Sequence, residues 1–464
     1  MTARSGEGAV AVAIALFLFG GVALDSWGPN VSGNVVRAPD EAPFSARAVF
    51  CPPSLGKPAS RVSLTAATAG DEAVAVGIEP GSEQREDLAP GSILEHKPPT
   101  AGASDVVGYG GPLDATAVTS IDEPVSGVGA AACSRRASTR WYFPEGNSIV
   151  THDQRMLIYN PFPDEAVVSV SLLTQAGERT KAGLSDVAVP SESSVAVAIN
   201  EFVSEQEKVL GTVVSAVRGR MVVWRLSIAR PEEKPSGVQF TLGATAAADV
   251  WHFPDGAVGE GFDERLTIMN PGSQEALVDV SLVTPERTEQ VAALTGMSIQ
   301  PRSTRSVPLD ESMVPDGGGG GIGTVVRSVN AVPVVAERTV FYASEDVDGV
   351  ASEIGAPAAA RRWLLGPATS RPETDAAVLM NPGVAAVEVT LELMRASGRT
   401  LRPRTLRGIL LRRDARLRIP LSDLIGGEPA AVMVTATGPV VAERFSYSRG
   451  AGDVASLMGL PLPD

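Results

Sequence analysis

Residues that carry chemistry are scarce in this chain. Its 464 residues hold three His and two Cys. His96, His152 and His252 fall at no metal-ligand spacing, and neither Cys-x-x-Cys nor His-Glu-x-x-His occurs. No Gly-x-Ser-x-Gly elbow presents a nucleophile. Helical periodicity is nowhere sustained, which argues against a helix bundle or coiled coil. Lysine is rare, at 5 against 34 Arg, a bias expected of GC-rich coding. The formal charge of −15 argues against a nucleic-acid binder on electrostatic grounds. No catalytic residue, cofactor or metal site is expected, and the chain is not expected to be an enzyme.

Long apolar runs are also missing, with one short exception. Ala9–Leu24 is uncharged and mostly apolar over 16 residues, short for a bilayer span and right for a signal-peptide core. Gly21-Val22-Ala23 puts small residues at −3 and −1 of a cleavage point before Leu24. Residues 1–25 are therefore expected to be a signal peptide or an uncleaved membrane-anchoring helix, with the bulk of the chain secreted or anchored outside the membrane. In an exported chain, Cys51 and Cys133 predict one disulfide, with two buried free thiols as the alternative.

What the chain does have is repetition. Trp141-Tyr142-Phe143-Pro144-Glu145-Gly146 returns 110 residues later as Trp251-His252-Phe253-Pro254-Asp255-Gly256. It returns in frayed form after a further 112, as Trp363-Leu364-Leu365-Gly366-Pro367. Asn160-Pro161, Asn270-Pro271 and Asn381-Pro382 follow the Trp by 19, 19 and 18 residues. Pro333-Val334-Val335-Ala336-Glu337-Arg338 is repeated as Pro439-Val440-Val441-Ala442-Glu443-Arg444. A fixed period of this length marks a tandem array of one folding unit. Within the first unit, Arg155–Tyr159, Val167–Leu173, Asp186–Val189, Val195–Ile199, Thr212–Val217 and Met221–Ile228 read as strands beside the Trp motif. Strict alternation, as in Val168-Ser169-Val170-Ser171-Leu172, gives each strand one buried and one wet face.

The expected fold is all-β: tandem Ig-like antiparallel β-sandwiches, three complete and one degenerate, after the N-terminal helix. The expected boundaries are 26–48 for a linker, 49–138 for the degenerate disulfide-closed module, and 139–248, 249–360 and 361–464 for repeats one to three. The degenerate module lacks the Trp and the Asn-Pro, and Ile121-Asp122-Glu123-Pro124-Val125 reads as a faint echo of the Glu-Arg strand. Single helical turns are expected at Leu421–Ile425 and, as its echo, Leu309–Met313.

Each motif has two readings. Trp141, Phe143, Trp251, Phe253 and Trp363 suit the core of a small sandwich, or a sugar-binding platform with Glu145 and Asp255 taking hydroxyls; the core is preferred. Repeat acids sit one per module and are dropped freely, as at Pro367 and Trp224, which points to turns and strand-edge ion pairs instead of a paired-carboxylate site. Gly317–Gly321 reads as a flexible loop tip, and Glu345–Gly349 as half a calcium loop without its closing Glu. Nine Arg against one acid lie between Arg395 and Arg418. There Arg402 with Arg404, and Arg416 with Arg418, share strand faces. They suit an anionic envelope polymer, lipid headgroups, or the acidic modules of the chain itself.

The run Trp-Tyr-Phe-Pro-Glu-Gly, then a strand ending in Asn-Pro, then Val-x-Val-x-Leu resembles a secreted bacterial domain-of-unknown-function family of GC-rich Gram-positives. It is also similar to the Trp-Tyr-Phe-Ala-Glu-Gly repeats of bacterial surface proteins, with Pro144 in place of Ala. The resemblance implies an extracytoplasmic β-rich protein and carries no catalytic residue. The expected function is a non-catalytic envelope or surface scaffold or adhesion module, with an envelope polymer or another surface protein as partner. The alternative is a carbohydrate-binding or carbohydrate-processing accessory that uses the repeated Trp.

Overall fold

Alternation along short segments sets the architecture. In Val168–Leu172 the apolar residues are buried while Ser169 and Ser171 stay half-exposed, and the same pattern holds at Val278–Leu282 and Val387–Leu391. Strands of this kind need a second layer over their apolar face. The computed structural model describes residues 46–462, leaving aside 56–59, 69–72, 80–85, 98–101, 110–112, 231, 233–234, 315–320, 344–347, 369–372, 396–397, 399, 427 and 449–452. The expected export segment, most of the expected linker, nearly all of the Gly317–Gly321 run and most of the acidic Glu345–Gly349 stretch lie outside the described residues.

The chain is nearly all strand. The first module comprises β1 (Ala46–Ser54), β2 (Ser60–Thr68), β3 (Val74–Glu79), β4 (Glu86–Leu88), β5 (Ile93–His96), β6 (Gly102–Tyr109), β7 (Leu113–Ile121) and β8 (Gly127–Ala132). They form antiparallel sheets β1-β6-β3-β4 and β5-β2-β7-β8. The second comprises β9 (Arg140–Phe143), β10 (His152–Asn160), β11 (Ala166–Thr174), β12 (Gly177–Arg179), β13 (Val187–Val189), β14 (Ser193–Ala198), β15 (Gly211–Arg218), β16 (Val222–Ala229) and β17 (Gly237–Leu242). Its sheets run β12-β11-β15-β9, with β13 on β11, and β14-β10-β16-β17.

The third module repeats this plan with β18 (Val250–Phe253), β19 (Phe262–Asn270), β20 (Ala276–Val283), β21 (Thr288–Gln290), β22 (Met297–Ile299), β23 (Ser303–Leu309), β24 (Gly323–Ser328), β25 (Val335–Ala343) and β26 (Asp348–Ile354). The fourth comprises β27 (Ala360–Leu365), β28 (Thr374–Asn381), β29 (Val387–Arg395), β30 (Ile409–Leu411), β31 (Ala415–Pro420), β32 (Ala430–Ser448), β33 (Asp453–Met458) and β34 (Leu460–Leu462). Its 19-residue β32 serves both layers, joining them as one eight-stranded sheet. The two short helical turns fall at α1 (Ser422–Ile425) and in a 3-10 turn at Glu311–Met313.

The paired sheets of each module share an apolar core, so the modules are sandwich-like. Trp141, Trp251 and Trp363 are buried, and their indole N–H groups donate to Met221 O, Val334 O and Val440 O at 2.8, 2.7 and 2.8 Å. Each bond ties the first strand of a module to the chain entering its Glu-Arg strand. The buried Asn of each Asn-Pro pair is a clamp as well as a turn. Asn160 Nδ2 donates to Asp164 O and Val189 O, Asn270 Nδ2 to Gln274 O and Ile299 O, and Asn381 Nδ2 to Ala385 O and Leu411 O. Its Oδ1 accepts the N–H two residues on in every copy. Pro after Asn holds that residue extended, which aims the amide inward.

Register shows how the first module stands in for the motif it lacks. Backbone bridges place Phe50 opposite Ser134, Tyr142 opposite Ala244 and His252 opposite Ala356. Cys51 therefore takes the position of Phe143 and Phe253, and Cys133 that of Gly243 and Gly355. In the complete copies the Phe ring lies on the glycine, where an added Cβ would come within 2.5 Å of Phe143 and 2.7 Å of Phe253. In the first module the same two positions are joined by the Cys51–Cys133 disulfide. A covalent bond occupies the place of an aromatic contact. The register also moves the faint echo: Ile121–Val125 ends β7 and enters the turn after it, and the true counterpart of Glu337-Arg338 is Thr116-Ala117 within β7.

The four modules close on themselves. The last strand of each inner sheet packs on the next: β8 on β17, β17 on β26, β26 on β33, and β33 back on β8. Close approach requires small residues there. A Cβ on Gly129 would lie 3.0 Å from Phe240 Cβ, and one on Gly237 would lie 3.2 Å from Val350 N. The closing seam between the first and fourth modules has its own apolar clusters, including Ala67, Ile93, Leu364, Met394 and Met433 on one side and Val118, Ala130, Ala455 and Leu457 on the other. The tandem array is a ring.

Candidate functional site

The chemistry of this chain is concentrated where modules meet. At the junction of the second and third modules, Arg225 on β16 reaches Glu337 on β25, both fully buried. Arg225 Nη2 donates to Glu337 Oε1 at 2.5 Å and Nη1 to Oε2 at 3.0 Å, a two-pronged geometry that guanidinium and carboxylate share. Glu337 Oε2 also accepts the backbone N–H of Glu145 at 3.0 Å, and Arg225 Nη1 donates to Glu145 O. The third and fourth modules repeat this: Arg338 pairs with Glu443, Glu443 Oε2 accepts Asp255 N–H, and Arg338 Nη1 donates to Asp255 O.

The other two junctions lack the pair, and the substitutions match across each seam. Pro53 and Pro367 occupy the Glu145/Asp255 position in the first and fourth modules. Proline has no N–H to offer, and the following module carries no Glu to receive one. Trp224 faces the first module and donates its indole N–H to Ala132 O. Thr116 faces the fourth and donates to Pro367 O. Arg444, left without a Glu ahead of it, turns to Asp375 of its own module, with Nη2–Oδ2 at 2.5 Å. The repeat acids come and go because their partners do.

The third-to-fourth junction is the most densely charged. Asp255 is buried and holds two arginines of the fourth module, Arg416 at 3.1 Å and Arg418 at 3.0 Å. Arg416 Nε also donates to Pro254 O, and Arg418 lies over the Phe445 ring. Burial lowers Arg416 from the usual arginine range, with Asp255 opposing. Burial works against the charge of Arg338, but Glu443 holds its affinity for the proton above the usual arginine value. Glu264 is pushed up to about 8 by burial, against the pull of Arg338 and the Ala257 N–H, so it is mostly protonated at neutral pH. Register puts Glu264 where the second module has Gln154, the neutral isostere of a protonated glutamate. Glu353 is likewise raised well above the usual range, by burial and then by the charge of Glu443.

The second-to-third junction differs on its outer side, which is open. Thr304 and Ser306 stand where the fourth module has Arg416 and Arg418, and a cleft of about 720 Å³ remains. Arg179, Gln206 and Lys208 line it from the second module, and Asp263, Arg265 and Ser306 from the third. A smaller cleft of about 210 Å³ at the closing seam includes Arg362, Glu392 and Arg402 in its lining.

The residues singled out from sequence separate accordingly. Trp141, Phe143, Trp251, Phe253 and Trp363 lie in the cores and present no ring face to a sugar. Of the four arginines, Arg416 and Arg418 dock on Asp255 of the neighbouring module, Arg402 pairs with Glu392 at 2.7 Å on the surface, and Arg404 is exposed on a 3-10 turn. They form no single patch. Sequence reasoning passed over β17, β26 and β33, which line the ring, although Val350-Ala351-Ser352 and Val454-Ala455-Ser456 repeat at equivalent places.

The chain belongs to the family of unknown function DUF5719, which it matches over residues 109–341 and 328–444. No curated protein matches it. Among solved structures it is similar to a protein of Thermotoga maritima, "Thermotoga maritima 1070", at 22% identity and a TM-score of 0.20, covering 24% of this chain and 94% of that one.

Proposed function

We propose that this protein is a non-catalytic scaffold of the cell envelope, exported through residues 9–24 and displaying four Ig-like sandwiches as one rigid ring outside the membrane. The observation that supports it most is the design of the junctions. Each seam is bridged by partners matched to it, two of them by buried ion pairs, so the modules are held at fixed angles instead of swinging on linkers. Rigid presentation serves a protein that displays surfaces. The Cys51–Cys133 disulfide supports an oxidising compartment.

The experiment is fractionation of an epitope-tagged chain expressed in a Gram-positive host, with protease added to intact cells. The expected outcome is tag in the envelope or medium, cleaved by external protease, and cytoplasmic retention when residues 9–24 are deleted. Full-length protein that stays cytoplasmic and protected overturns the reading. A pull-down from intact envelope, with glycan and protein fractions separated, then names the partner class.

A further inference from the structure

Two junctions of this ring are built to one plan, yet one is sealed on its outer side and the other is not. Where the fourth module sends Arg416 and Arg418 across to Asp255, the third has Thr304, buried and donating to Pro144 O, and Ser306, which lines the cleft of about 720 Å³. That volume is within the range of small-molecule sites, about 300–1,000 Å³, and a seam between modules is where such sites gather. Its two arginines come one from each module and are already oriented. Glu207 holds Arg179 at 2.8 Å, and Asp263 holds Arg265 at 2.7 Å while the Phe341 ring supports its guanidinium. A guanidinium has five N–H donors, so each keeps donors for a ligand after its acid is served. Lys208 adds a third cation, Glu205 stands 3.9 Å from Arg179 as a third acid, and Gln206 and Ser306 offer neutral donors and acceptors.

From this contrast we propose that the cleft binds a segment of an acidic glycan, a hydroxyl-rich chain bearing carboxylate or phosphate groups. The guanidinium donors that Arg179 and Arg265 keep, with the Lys208 ammonium, take the anionic group, and the amide and hydroxyl groups take sugar or polyol hydroxyls. This rests on the envelope reading, since it supplies the polymer that such a scaffold would hold. The wide, open shape suits a chain that passes through it.

Isothermal titration of the purified chain tests it with three probes: hexameric galacturonate, a glycerol-phosphate oligomer and neutral maltohexaose. Binding of either anionic probe, weakened by salt and absent for maltohexaose, is expected, and the two anionic arms separate carboxylate from phosphate as the source. Arg179→Ala/Arg265→Ala should weaken binding at least about ten-fold. Ser306→Arg, which restores the residue that seals the next junction, should block the cleft in a ring that keeps its melting temperature. Arg402→Ala, at a different seam, should bind as the parent does. Failure of both anionic probes, equal binding of maltohexaose, or unchanged binding by both cleft variants overturns the proposal. A chain that fails here but is exported in the fractionation experiment loses its ligand and keeps its scaffold role.

Discussion

Replacing Glu337 by Leu asks whether the ring is held at its junctions. Glu337 Oε1 accepts from Arg225 Nη2 at 2.5 Å and Ser352 Oγ at 2.6 Å, while Oε2 accepts from Arg225 Nη1 and the Glu145 N–H, each at 3.0 Å. Four donors therefore depend on one carboxylate. Its removal leaves a buried guanidinium without a counter-charge, which costs about 3–5 kcal/mol. The Glu145 O and Thr241 Oγ1 acceptors that Arg225 retains keep the loss toward the lower end. Arg225→Met/Glu337→Leu removes the stranded charge, and its remaining cost is the unpaired N–H and C=O of Glu145, about 1–3 kcal/mol, since the Ser352 hydroxyl keeps Thr339 Oγ1. The double variant should thus be more stable than the Glu337→Leu single. The first junction is nature's apolar version, with Ala117 at the Arg position, Trp224 at the Glu position and Pro53 removing the N–H. Urea denaturation followed by tryptophan fluorescence reads the effect, because Trp224 adjoins Arg225. Glu165→Gln, at the exposed Arg218–Glu165 pair, is the control and should shift stability by less than about 1 kcal/mol. A Glu337→Leu loss below about 1 kcal/mol, or single losses that simply add in the double, would refute the locked-junction account.

Three further outcomes follow from the same geometry. The folded Glu264 carboxyl titrates near 8 and the unfolded one near 4.5, so the folded chain holds an extra proton between those values. Stability therefore falls as pH rises through that window, by on the order of 3 kcal/mol at pH 7. Glu264→Gln lacks that slope, and its advantage over the parent in chemical denaturation should grow from pH 5 to pH 8; parallel profiles would contradict the protonated assignment. Cys51→Ser/Cys133→Ser opens a loop with a sequence separation of 82 and should destabilise the chain by about 4–5 kcal/mol, with limited proteolysis cutting the first module before the others. Phe143→Cys/Gly243→Cys copies the first module's staple into the second, and a thiol assay after oxidation should find both new cysteines consumed; two free thiols would show that the positions are not equivalent in space.

Much of the local structure was legible because it depends on neighbours in sequence. Alternating Val-x-Val-x-Leu segments gave β11, β20 and β29, and Trp and Asn-Pro marked the same core and clamp positions in three copies. The ring and its junctions were harder, because a residue there answers to a partner more than 100 positions away, as Arg225 does to Glu337. Apparent decay in single copies, Pro367 for an acid and Trp224 for Glu, reads as freedom to vary when each copy is taken alone. Set beside the module each one touches, it is complementarity. The arginine-rich stretch stood out as a charge run, but nothing local indicated that Arg416 and Arg418 cross to Asp255 while Arg402 stays at the surface.

Closure of the seam between β33 and β8 also bears on how such a protein can grow. An open string lengthens by duplicating a unit at either end, and each added copy meets one neighbour it already fits. A ring of four has no free end at which to add one. Inserting a fifth copy would change the angle at every seam at once and separate pairs such as Arg338 and Glu443 that meet only across their own seam. Descent with a fixed number of copies leaves divergence within them as the remaining route to novelty, with each member shaped by the two beside it.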